Sequence, residues 1–383
     1  MALAEVDTLE RLVGAATVSR DPMIELAAYV AQRCEDAGFR VELDRDPDDP
    51  GKANVLAFAG PEVPDAGLIL SGHLDVVPVD GQDWASDPFE LSERDGKLYG
   101  RGASDMKAFV AASLVGLERM DLGALRAPLA LIWTHDEEVG CVGSARLARA
   151  LAQSPRPLPK ECWIGEPTDF QIFRMHPGHT AVRVTTLGRS AHSSKPDLGA
   201  SAIRAMARVL AVCEGLIQDL ERERDEAFAD YLDRPYVTFN AGTLHGGTAV
   251  NMVPDRCEMV LGYRPLPGQS STAVALRLQE RLEETYFPPG TTCQIEILRE
   301  TPSLLTPEGT PLQGLLHEHC CGDPPSAASF ATDGGNLAKL GVNTLVFGPG
   351  SIDVAHAPNE YVEAQALSRC VDMVVDVVSR RCL

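Results

Sequence analysis

The 383-residue chain is 44% hydrophobic and 23% charged, enough apolar material for two or three folded cores and too much for a disordered chain. A formal net charge of −21 would repel phosphate backbones and anionic lipid surfaces, which sets aside nucleic acid and membrane as partners and favours cations. The ten cysteines form no CxxC pair, and the one close pair, Cys320–Cys321, is adjacent, a spacing that rarely bridges. MALAEVDTLERLV lacks a basic-then-apolar leader pattern, and no run approaches about 18 apolar residues. A reduced, soluble, cytoplasmic protein is expected.

In chain order, apolar spacing of three and four predicts a helix over 5–38, closing at Gly38. FRVELDRD (39–46) alternates like a half-buried strand, and NVLAFAG (54–60) and GLILSGHLDVV (67–77) read as buried strands. Helix 106–120, strand 128–136, helix 144–153 and strand 161–167 follow, an alternation that predicts an α/β layer with a mostly parallel sheet and flanking helices. From about 178 to 298 the order becomes strand 180–188, helix 201–225, strands 236–244 and 256–264, helix 271–287 and strand 292–300. This β-α-β-β-α-β order predicts an inserted ferredoxin-like α+β domain. Helix 312–320, strand 343–350 and a helix over about 361–380 complete the chain. The expected division is a catalytic domain split into 1–177 and 299–383 around an insert, 178–298, that serves as lid and dimerisation domain.

LIWTHDEEVG (131–140) runs a buried strand into Asp136, Glu137 and Glu138. Like charges about 4 Å apart repel by roughly 4 kcal/mol at an effective dielectric near 20. Either the loop is solvated or a cation sits there. Ligands of open α/β sheets bind beyond the carboxyl ends of the strands. At those ends stand His73 and Asp75, the 136–138 triplet, Glu166, and Asp353 with His356, while Asp105 precedes a helix. Singly, Asp105 reads as an N-cap and each His as a loop residue. Together, two histidines and several carboxylates suit zinc or a similar ion, and they outnumber the ligands of one tetrahedral site. Two ions sharing a carboxylate are therefore expected.

GHLDVVPVD (72–80), YGRGASDMK (99–107), DEEVGCVGS (136–144), GEPT (165–168), GRSAHSSKPDLGASAI (188–203) and GPGSIDVAHAPNEYV (348–362) resemble, in order and across nearly the whole chain, the zinc-dependent aminoacylase/carboxypeptidase family of M20-type metallopeptidases. VPVDGQDW with SDPFEL, RDGKLYGRG and the GPGSI block are most similar to its acetylornithine deacetylase branch. The resemblance implies two zinc ions, replaceable by Co2+ or Mn2+. His73, Asp105 and Glu166 would hold one, and Asp105, Glu138 and His356 the other. Asp75 would stand behind His73 and take its other ring proton, Glu137 would be the general base, and Asp136 would be only solvated. His192 would donate to the oxyanion, across a homodimer or on closure of its own subunit. Asn251 and Arg264 would meet the substrate carboxylate, with Thr332 in a Gly-rich loop that presents N–H groups. The implied reaction is deacylation of a small N-acyl amino acid, N-acetylornithine foremost, in arginine biosynthesis.

The chain departs from the deacetylase pattern at MHPGHT (175–180), ATDGG (331–335), HAPNE (356–360) and Ala108. None of these departures replaces an expected metal ligand, so the substrate is less defined than the reaction. Another N-acyl amino acid deacylase, a desuccinylase and a dipeptidase stay open, as does a non-catalytic metal-binding relative, against which Glu137 argues. A serine hydrolase is disfavoured because no GxSxG elbow precedes a helix.

Overall fold

A computed structural model describes residues 3–63, 66–154, 156–320 and 326–383. Cys321 lies outside the described residues, and the described cysteines are all free. The chain divides into two compact units, one of Met1–Met175, Leu305–Ala328 and Thr332–Leu383, the other of His176–Leu304 with Ser329–Ala331.

The larger unit is built on a mixed sheet with a parallel centre. Strands Leu129–Thr134, Leu68–His73, Glu161–Ile164 and Asn343–Val346 lie side by side in that order, all parallel. The first three are buried along their whole length, which is why they read as unbroken apolar runs. Ala53–Ala59 and then Arg40–Arg45 extend one side in antiparallel register. Helix Lys107–Glu118 is buried on nearly every face and packs against helices Ala4–Val13 and Ala364–Cys382. Below the carboxyl ends of the strands, Phe109 meets Trp163 at 5.1 Å and Trp163 meets Phe347 at 5.8 Å. A Cβ on Gly165 would lie inside the Phe109 ring, so the residue before Glu166 must be glycine for the aromatic floor to close.

The smaller unit has a four-stranded antiparallel sheet in the order Thr238–Gly246, Arg256–Arg264, His179–Leu187, Thr292–Thr301. Helices Ala202–Arg222 and Ala273–Glu283 supply the connections, giving the ferredoxin-like order. Met206, Val209, Leu216 and Leu278 cover one sheet face over Val182, Val184, Met259 and Leu261.

Two expectations are corrected. Residues 5–38 form two helices, Ala4–Val13 and Ile24–Asp36. Gly14, a left-handed Ala16 and Pro22 break the apolar period between them. Tyr361–Glu363 is a strand paired to Lys97–Tyr99, which pairs in turn to Ser92–Arg94, and the last helix begins only at Ala364. Three-residue strands carry too little alternation to be read from sequence. No described helix is long and apolar enough to cross a membrane.

Candidate metal centre

The parallel strands deliver their carboxyl ends to one edge, and the chemistry collects there. His73 ends its strand, the 135–141 loop follows Thr134, and Glu166 follows Ile164. Asp136, Cys141 and His356 adopt φ of +54°, +57° and +63°, left-handed values that non-glycine residues rarely take and that turn these loops sharply.

Asp105 is the hub. Its Oδ1 lies 3.0 Å from His73 Nε2 and its Oδ2 lies 3.1 Å from His356 Nε2. His356 Nε2 is also 3.0 Å from Glu138 Oε2, and His73 Nε2 is 4.0 Å from Glu166 Oε2. Asp105 therefore faces two histidines with two different oxygens, and the structure gathers His73, Asp105, Glu138, Glu166 and His356 into one cluster. Asp105 does not cap the following helix, whose N-cap is Met106 without a side-chain cap.

Asp75 stands behind His73 and takes its other ring proton, but through its backbone carbonyl. The nearest partner of His73 Nδ1 is the carbonyl of Asp75 at 2.8 Å, with the carboxylate at 3.6 Å. A carbonyl only accepts, so Nδ1 carries the proton and Nε2 keeps its lone pair for the cluster. The Asp75 carboxylate instead accepts the backbone N–H groups of Glu137 at 3.1 Å and Glu138 at 3.3 Å, and the Ser19 hydroxyl at 2.8 Å. Asp136 is not simply solvated. It pairs with the buried Lys52 at 2.8 Å and faces His135 at 3.1 Å.

The electrostatics fit a cation. Burial pushes Asp105 up, but hydrogen bonds from His356 and His73 outweigh it and hold the carboxyl well below its usual range. Hydrogen bonds to Asp105 and Glu138 raise His356 to about 11. Burial, then the Asp105 charge, pushes Glu138 up to about 7, and burial above all pushes Glu137 and Glu166 well up. Glu138 Oε1 is buried with no hydrogen-bond partner. Donors bound tetrahedrally at about 2.0–2.1 Å lie roughly 3.3 Å apart, close to the Asp105, His356 and Glu138 spacings. Oxygen and imidazole donors, an orphaned carboxylate oxygen and an excess of negative charge together suit a divalent ion.

Glu137 stands beside this group. Its carboxylate, Cys141 Sγ and an Asp333 oxygen lie within 4.8 Å of one another. Thr332 is fully buried, and its hydroxyl accepts the Gly334 N–H at 3.0 Å. His192, Asn251 and Arg264 belong to the smaller unit. His192 pairs with Met252 between two short strands, and Ser193 N–H donates to the Asn251 carbonyl at 2.9 Å, so His192 and Asn251 sit on neighbouring segments. His192 is exposed, and its Nδ1 accepts the Ser194 N–H at 3.2 Å, which leaves Nε2–H as the outward donor. Arg264 ends its strand, paired with Thr238, and its guanidinium makes no hydrogen bond or ion pair among the described residues; burial, then the charge of Arg299, lowers its pKa.

Sequence reading passed over Asp333 and Cys141, and over Arg101 and Glu360. Asp333 and Glu360 lie in ATDGG and HAPNE, segments in which only Thr332 and His356 were given roles.

A buried parallel sheet edge that gathers two histidines and several carboxylates around a shared aspartate defines a metal-dependent hydrolase. The profile of peptidase family M20/M25/M40 matches residues 69–380, and the chain belongs to that family. It is 36% identical to an acetylornithine deacetylase of Myxococcus xanthus over 380 residues, 98% of this chain and 97% of that one. Its fold matches the M20 metallo-carboxypeptidase Sso-CP2 of Sulfolobus solfataricus with a TM-score of 0.77 at 20% identity, over 98% and 99% of the two chains. It also matches the YXEP protein of Bacillus subtilis, described as a dinuclear metal-binding peptidase of this family, with a TM-score of 0.65 at 13% identity, over 98% and 97%.

Proposed function

We propose that the protein is a dinuclear zinc amidohydrolase that deacylates a small N-acyl amino acid, N-acetylornithine yielding ornithine and acetate. The observation that carries this reading is Asp105 set between His73 and His356, with Glu138 and Glu166 beside them. The identity to the Myxococcus xanthus deacetylase supports the substrate. His73, Asp105 and Glu166 would hold one ion, and Asp105, Glu138 and His356 the other; Co2+ or Mn2+ could substitute. When bound, the ions supply Lewis acidity, lowering the pKa of water and polarising the amide carbonyl.

Glu137 takes the proton of the attacking water and delivers it to the leaving nitrogen. Its burial favours the protonated form between those two steps. Asp75 holds the Glu137 and Glu138 backbone and the His73 ring in register. His192 offers its Nε2–H to the oxyanion of the tetrahedral intermediate, by closure or from a second subunit of a homodimer. Asn251 and Arg264 meet the substrate carboxylate, for which the planar guanidinium is suited, and the Thr332 loop lines the pocket. The reading carries with it a role in arginine biosynthesis and a cytoplasmic setting, which the free cysteines support.

One observation favours a second reading, hydrolysis of an acidic N-acyl amino acid or an N-succinyl substrate. Arg299 Nη2 lies 3.2 Å from His179 Nδ1, and Arg264 is near enough to Arg299 for the two charges to interact. Burial, then the Arg264 charge, lowers His179 to about 4, so the two guanidiniums stand with a neutral ring. Such a pair suits a carboxylate better than the ammonium of ornithine.

The test is release of free amine from N-acetylornithine, N-acetylglutamate and an N-succinyl amino acid, before chelation, after it, and after zinc reloading. Zinc-restored turnover of N-acetylornithine supports the first reading, and preference for an acidic substrate supports the second. No zinc-dependent amide hydrolysis of any of them would overturn both.

A further inference from the structure

The segment 135–143, a loop that runs into the first turn of helix Val142–Leu151, carries Glu137 and Glu138, yet its sequence does little to stiffen it. It holds Gly140 and Gly143 and turns through two left-handed residues, Asp136 and Cys141. Its ends are fixed from elsewhere by one buried carboxylate. Thr134 Oγ1, at the end of the incoming strand, donates to Asp333 Oδ2 at 2.5 Å. Ser144 Oγ, at the start of the outgoing helix, donates to Asp333 Oδ1 at 2.5 Å. Asn336, one turn on from Asp333, donates to Ser144 Oγ at 2.9 Å and reaches the Cys141 carbonyl at 3.4 Å. Cys141 Sγ faces Glu137 Oε1 at 3.4 Å and lies between Glu137 and Asp333.

Asp333 is 1% exposed, and no Lys, Arg or His donates to it among the hydrogen bonds and ion pairs of the described residues. A carboxylate buried without a cation is costly, and one placed near another carboxylate more so. What the carboxylate adds is two equivalent acceptor oxygens, which span both ends of the loop in fixed geometry.

We propose that Asp333 is a positioning residue for Glu137: it clamps Thr134 to Ser144, and so sets the 135–143 loop and the Glu137 carboxylate against the Asp105 cluster. The assignment rests on the reading of Glu137 as general base. On this assignment Asp333 acts through the Thr134 and Ser144 hydroxyls and not by contact with the substrate. The Thr134 hydroxyl has a second acceptor in the Gly72 carbonyl at 3.3 Å, and the Ser144 hydroxyl has one in the Cys141 carbonyl at 3.1 Å. Either hydroxyl can therefore turn to accept from an amide, so asparagine can replace the clamp where alanine cannot.

The experiment compares D333A, D333N, T134V, S144A and the T134V/S144A pair, each with metal content measured, on the best zinc-loaded substrate. Misplacing a catalytic group by about 1 Å costs about 10²-fold. D333A and the T134V/S144A pair are expected to lose about 10²-fold in kcat, with KM and metal content within about twofold of wild type, each single hydroxyl variant less, and D333N is expected to recover most of the loss. Adding D333A to E137Q should cost nothing further, because the two act as one unit. A D333A loss that persists undiminished in E137Q, a rise in KM with kcat kept, or a D333N as impaired as D333A would overturn the proposal. Should D333A fail to fold, the T134V/S144A pair carries the same test. Should wild type hydrolyse no amide, the base reading fails separately, and amide hydrogen exchange decides the clamp: faster exchange across 135–143 in T134V/S144A upholds it, and unchanged exchange overturns it.

Discussion

Glu360 accepts the backbone N–H of Asp105 at 3.0 Å, and with it that of Ser104 at 2.8 Å. Its other oxygen holds Arg101 at 2.6 Å in a pair that is 0–1% exposed on both sides. Arg101 reaches on to the carbonyls of His356 and Ala357. One buried ion pair thus ties together the two loops that carry Asp105 and His356. Removing one partner of such a pair costs about 3–5 kcal/mol, and loss of support behind a ligand typically costs about 10–100-fold in metal affinity. Glu360→Ala is expected to do both, read by chemical denaturation and by competition with a metal indicator. An unaltered metal affinity would limit the pair to stability.

Glu137→Gln keeps the shape of the side chain and removes its basicity. Turnover should fall by about 10²–10⁴-fold while elemental analysis finds the same metal content as wild type. Turnover left at the wild-type rate would strip Glu137 of its role.

His192→Ala removes an exposed donor that does not belong to the Asp105 cluster. A drop of about 10²-fold in kcat with metal retained is the expected result. A wild-type rate would make it a surface residue of the smaller unit.

Lys107 is fully buried, with its Nζ donating to the Leu12 carbonyl at 2.8 Å. Burial, opposed by Asp75 and Glu360, lowers its pKa to about 7 from 10.5. Between those values the unfolded chain keeps a proton that the fold has shed, so this residue makes stability rise with pH from about 7 to 10.5; below about 7 the cost of charging it is fully present. The span corresponds to roughly a few kcal/mol. Urea unfolding across pH 6–10 should show that slope in wild type and a flatter one in Lys107→Met. Equal slopes would mean that the ammonium stays charged in the fold.

Much of the site was legible because its donors are polar residues at the ends of apolar runs. His73 after LILSG and Glu166 after CWIG stand out, since several buried strands finish on a histidine or an acid at one predicted edge. The ferredoxin-like order was legible for the same reason, through alternation long enough to count. What escaped was support. Asp333 acts through Thr134 and Ser144, about 190–200 residues away in sequence, and Asp75 acts through its carbonyl as much as its carboxylate. Such roles leave no periodic trace. Lys52 and Asp136 are 84 residues apart, so their pairing was equally hidden, and a solvated Asp136 was the natural expectation. The Tyr361–Glu363 strand was overshadowed by the helical pattern that follows it.

The position of Asn343–Val346 in the central sheet governs how the chain can be made. That strand lies against Glu161–Ile164, which reaches the ribosome exit about 180 residues earlier. Until it arrives, a nascent chain carries an apolar parallel strand with a bare edge, the kind of surface that invites pairing with a neighbouring polypeptide. His356 arrives later still, so the growing chain offers Asp105 only one of its two imidazoles. Closing the sheet edge and completing the donor set are thus consecutive events in synthesis, and release of the chain before them would leave a sticky fragment unable to assemble the full cation cradle.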